Sequence, residues 1–78
     1  MKKEETSKRE FSVGDLVMFD PEGGNYAKWF GGQMAVIESV SYASDGRLHF
    51  RVRWLHPVKY FSKMATISDF SADKFIKC

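Results

Sequence analysis

A single cysteine cannot cross-link its own chain, and the lone Cys78 closes the disulfide-rich route by which many small extracellular domains are held together. A reducing compartment is the expected setting. No apolar run approaches the roughly 20 residues of a membrane span, and the opening Met1-Lys2-Lys3-Glu4-Glu5 has no apolar segment behind its charges. These two lacks point to a soluble, unsecreted, cytoplasmic protein. With 78 residues the chain makes one small domain, which excludes an enzyme built on a cleft between lobes. Leucine and alanine are scarce, three and five, against seven Phe, six Val, three Ile, three Tyr and two Trp. That balance favours strands.

Acidic residues are missing from one long stretch. Between Asp45 and Asp69 there is no carboxylate, while Arg47, Arg51, Arg53, Lys59 and Lys63 give that stretch a charge of +5. The remaining seven Lys or Arg against ten Asp or Glu sum to −3, so the net +2 belongs to one segment. A basic face is expected there, fit for an anionic partner.

Residues 1–10 hold no apolar residue after Met1 and read as a disordered charged tail, which leaves 11–78 as the folded domain. Val13–Phe19 reads as a first strand, ended by Asp20-Pro21-Glu22-Gly23-Gly24-Asn25. A long loop then runs from Asp20 to Gln33, with glycine pairs bracketing Tyr26, Trp29 and Phe30. Met34–Tyr42 is a second strand whose alternation breaks near Glu38 and Ser39, as at a β-bulge. Ala43-Ser44-Asp45-Gly46 is a hairpin turn. The cleanest alternation follows: Leu48, Phe50, Val52 and Trp54 face one way, and Arg47, His49, Arg51 and Arg53 the other. His56-Pro57 should end that strand, with Val58–Ser62 as a connection and Lys63–Ser68 as a fourth strand. Ser71 suits the cap of one helical turn before a last strand at Phe75–Cys78. An all-β, five-stranded barrel with one short helical turn before its last strand is the expected fold, with Val17, Phe19, Val36 and Ile76 meeting the third strand's apolar face.

Val13-Gly14-Asp15-Leu16-Val17, the glycine before Ala35-Val36-Ile37, Val52-Arg53-Trp54 and Ser68–Phe75 resemble the small SH3-like barrels, the Tudor and KOW modules among them. The likeness is nearest to stand-alone, mostly uncharacterised barrel proteins of tailed bacteriophages. It implies a five-stranded barrel over residues 11–78, working in the host cytoplasm as a binding module.

Alternate strand residues about 7 Å apart match successive phosphates of an extended nucleic acid, so Arg47, His49, Arg51 and Arg53, with Lys59 and Tyr60, are candidate contacts for single-stranded DNA or RNA. The arginines can equally pair with Glu38 or Asp69 across strands. Tyr26, Trp29, Phe30, Tyr60 and Phe61 can stack bases, and the loop rings can instead cap one end of the barrel; alternatively the Asp20–Gln33 loop, with Tyr26, Trp29, Phe30 and Phe61, is the docking site for a host or phage protein. The same rings are numerous enough for a cage around a methylated ammonium, beside Asp20 or Glu22. His49 and His56 lack partners at metal-ligand spacing, no catalytic triad or carboxylate pair stands at a readable spacing, and Gly23-Gly24 and Gly31-Gly32 lack the Lys-Ser or Lys-Thr of a phosphate loop. No catalytic residue, metal or small-molecule cofactor is expected.

Overall fold

Leu16-Val17-Met18-Phe19 is apolar at every position, and in the computed structural model, which describes residues 11–78, it forms the short strand β1 (Leu16–Phe19). The proposed tail at 1–10 lies outside the described residues. The other elements are α1 (Ala27–Phe30), β2 (Met34–Tyr42), β3 (Leu48–Tyr60), β4 (Lys63–Ser71), a 3₁₀ helix (Ala72–Lys74) and β5 (Phe75–Lys77). All neighbouring strands are antiparallel, in the order β4-β3-β2-β1-β5.

That order corrects the barrel expected from the sequence and from its resemblance to SH3-like folds. Closure needs a ladder between β4 and β5, yet these are the two outer strands of the sheet. Their rings meet without any strand pairing, Phe70 and Phe75 lying 6.2 Å apart. The sheet is open, and its buried face is sealed by side chains.

Val17, Phe19, Ala35, Ile37, Phe50, Val52, Trp54, Val58, Ala72 and Phe75 form the core with Phe30 from α1. Phe19 is its hub, with rings of Phe30, Trp54, Phe70 and Phe75 at 6.0, 6.5, 4.9 and 5.6 Å. Phe30 stacks on Trp54 at 5.0 Å, and the Trp54 indole N–H donates to Ser68 Oγ at 2.9 Å, which satisfies the core's polar atom. The expected inward set of β3 is seen, but Val36 and Ile76 are not in the core. Val36 pairs with Arg53, and Ile76 with Met18, on the outer face, while Ala35, Ile37 and Phe75 point inward. A shift of one residue exchanges the faces of a strand.

The bulge in β2 lies between Ile37 and Ser39, as its sequence suggests. β3 does not stop at His56-Pro57. It continues to Tyr60 through a register shift between Arg53 and Val58, so Pro57 sits in the interval where β3 and β4 are out of step and the ladder calls on no N–H. Beyond the shift, Val58–Tyr60 pair with Lys63–Ala65 and carry a hairpin past the rest of the sheet. β4 runs on to Ser71, which takes in Phe70, and the helical turn shrinks to the 3₁₀ helix, where the Ser71 hydroxyl bonds Asp73 instead of capping a backbone N–H.

The segment after β1 is not an open loop. The Phe19 N–H donates to the Gln33 carbonyl at 2.9 Å and Gly32 N–H to the Phe19 carbonyl at 2.8 Å, closing the excursion at its base. Gly31 ends α1 where a Cβ would lie 2.6 Å from the Ala27 carbonyl oxygen, so only glycine lets the chain turn back there.

Phe19→Ala removes the hub of this core, and a loss of about 3–5 kcal/mol in urea unfolding is expected. A loss below about 1 kcal/mol would show that the rings repack without it.

Candidate functional site

Arg51 and Arg53 on the outer face of β3, and Arg47 just before the strand, each lie beside a carboxylate from another element. Arg51 spans Asp69 of β4 with two bonds, Nε to Oδ1 at 2.8 Å and an η nitrogen to Oδ2 at 3.1 Å. Arg53 Nε donates to Glu38 Oε2 at 2.5 Å, and Arg47 lies 3.7 Å from Asp73. Half-buried His49 sits beside them, opposite Ser41 and Ser71. The three arginines of the stretch between Asp45 and Asp69, which holds no acidic residue of its own, are thus matched by carboxylates in space. The nucleic-acid reading, which relied on a barrel presenting a basic strand, is overturned with the barrel, and each guanidinium already has an anion. Lys59 lies on the hairpin opposite Met64.

Arg51 holds the Asp69 carboxyl below its ordinary 3.8, first through their hydrogen bond. Folding therefore favours the ionised form, so its contribution is whole above the unfolded value and is lost as pH falls through the lower folded one.

The aromatic residues assemble differently from the loop surface anticipated. Phe30 is buried, so it plugs the core; Trp29 is half-buried, and Tyr26 is the most exposed of the three. The docking site expected from the 20–33 loop, with Tyr26, Trp29, Phe30 and Phe61, is corrected accordingly, since Phe30 belongs to the core. What reaches the surface is a composite. Trp29 of α1 meets Tyr60 at 4.9 Å, edge to face, and Phe61 at 4.8 Å, while Tyr60 and Phe61 lie 4.7 Å apart. Tyr26 joins at 5.8 Å from Tyr60 and 6.2 Å from Trp29. The Lys28 ammonium stands 4.9 Å from the Trp29 centroid. Rings packed at these separations fill the space that a methyl-ammonium cage keeps open.

Tyr60 and Lys63 pair across the hairpin, which makes Phe61 and Ser62 its two central residues. Phe61 has φ +58°, the only positive φ on a non-glycine residue among those described. A first central residue in left-handed backbone normally calls for glycine. Here it is a phenylalanine whose surface is 64% exposed.

No family model, curated protein or solved structure matches this sequence.

The phenol of Tyr60 is pushed above its ordinary 10.0, first by its hydrogen-bond interaction with Tyr26 and then by burial. Phe70, which the sequence places near a helical turn, joins the cluster at 5.4 Å from Tyr26. Its period-two spacing from Ser68 is the signal that could have found it. Among the described residues no three His, Cys, Asp or Glu side chains gather to hold a metal, and no helix is long and apolar enough to cross a membrane.

In unfolding measured against pH, the advantage of wild type over Asp69→Asn should be constant near neutrality and shrink as pH drops below 3.8, Asp69's ordinary value. A difference independent of pH would mean the pair contributes nothing through charge.

Proposed function

We propose that this protein is a non-catalytic binding module that docks another protein on the composite aromatic surface of α1 and the β3–β4 tip, with Tyr26, Trp29, Tyr60 and Phe61 as its contacts. The observation that carries the reading is Phe61. Left-handed backbone costs an L-residue about 1–2 kcal/mol, a cost glycine would avoid. The ring is not in the buried core, and with 64% of its surface exposed it recovers little by burial. A strained, exposed ring at a hairpin tip is what a contact residue requires and a scaffold residue does not.

Aromatic anchors dominate protein interfaces because they bury a large area with few rotors. Tyr26 and Trp29 are held by a short helix pinned at its base, and Tyr60 by the ladder, so the rings are presented with little freedom left to lose. Lys28 and Lys63 border them and draw an acidic partner toward the rings.

Two readouts test this on one substitution. Phe61→Asn should leave stability within about 1 kcal/mol of wild type or raise it, since asparagine tolerates the left-handed region. Displayed random peptides of about ten residues, selected on wild type, should lose affinity for Phe61→Asn by about tenfold or more. A stability loss above about 2 kcal/mol would make the ring structural. Failure of any peptide to prefer wild type would end the docking reading.

A further inference from the structure

A sheet edge and a wall of rings meet at β4. A cavity of 330 Å³ is bounded on one side by Ala65 and the consecutive residues Ile67, Ser68, Asp69 and Phe70. Successive strand residues point to opposite faces, so a hollow that touches four in a row lies along the strand's backbone edge. Its other wall is made by Tyr26, Phe30 and Tyr60. β4 is an outer strand of the sheet, so alternate N–H and C=O groups turn away from β3. Among the described residues no backbone bond from a turn or loop reaches Lys63–Ser71.

We infer that this edge accepts an extended segment of another protein as an added strand, placing an apolar side chain in the cavity beside Tyr26 and Tyr60, with acidic residues flanking it. The inference rests on the docking role proposed for the rings and adds the conformation and chemistry of the partner. Extended backbone follows from the groove, because a strand alone can bond to the outward groups of β4 and still send every second side chain to one wall. The apolar insertion follows from the wall, which is aromatic. The acidic flanks follow from Lys28 and Lys63, beside which no carboxylate of the described residues forms an ion pair.

A second copy of this chain fits less well. Its own β4 would bring Asp69 as the only carboxylate, already held by two bonds from Arg51. The register shift also sets Ala65 to Ile67 of β4 against Arg53 to Val58 of β3, which bends the edge and breaks a long self-pairing.

The test uses the full chain and the peptide most enriched in the display selection. Hydrogen exchange read by NMR should slow by about tenfold or more at alternate β4 amides when this peptide is bound, and Ile67→Lys should weaken its binding by a similar factor. The exchange readout needs no variant, so it stands even if Ile67→Lys folds poorly. A peptide that binds at Trp29 and Phe61 and leaves β4 exchange unchanged overturns strand addition while the docking role survives. A selection that yields no peptide overturns both. Protection of β4 that grows with protein concentration in the absence of peptide assigns the edge to a second copy and overturns the inference.

Discussion

One buried face on one open sheet is the constraint from which the remaining features follow. Five strands with no second sheet behind them among the described residues must cover their apolar side with their own side chains and with whatever short pieces the connections provide. Phe19 sits at the meeting point, where rings from α1, β3, β4 and β5 converge on it. Rings suit this task because each covers a large area while ordering few torsions. The same need explains why the segment after β1 folds back: α1 exists to deliver Phe30 onto Trp54. Gly31 then lets the chain return to the sheet.

Covering a face with rings has a consequence at its margin. The cluster does not end where burial ends but continues through Tyr60 and Trp29 to Phe61, in an unbroken series of ring contacts. The series runs outward to a phenylalanine in left-handed backbone, beside a sheet edge to which no turn or loop of the described residues is bonded. The charged side of the molecule behaves in the opposite way, since each arginine of β3 is matched by a carboxylate.

Much of the local structure is legible in the sequence because its signals are local. The alternation from Leu48 to Trp54 marks the inward face of β3, the irregularity at Glu38 and Ser39 marks the bulge, and Ala43–Gly46 marks the hairpin turn. Val36 is assigned to the wrong face because Met34-Ala35-Val36-Ile37 is apolar throughout and contains no alternation to read. Ile76 takes the place of Phe75 for the same reason. Pro57 suggests an end to β3, but a register shift accommodates it. Closure of the sheet is illegible in principle, because whether β4 meets β5 depends on long-range pairing that no short motif encodes. The likeness to SH3-like barrels rests on short motifs at strand ends, which an open sheet of the same strand types can also carry. At the candidate site, the rings are visible as a set, but their division between core and surface is decided by α1, which the breaker-rich segment around it conceals. Phe61 stands among the sequence candidates; its backbone conformation, the feature that gives it meaning, has no signature in sequence because glycine, not phenylalanine, announces such turns.

Amide hydrogen exchange of the free protein, read residue by residue, tests the open edge most directly. Alternate amides of β4 should exchange fast, as should those of β5 on the side away from β1, while β2 and the stretch of β3 paired on both sides are protected throughout. Uniform protection along both β4 and β5, independent of protein concentration, would mean that the two edges are bonded to each other, and the open sheet would be refuted.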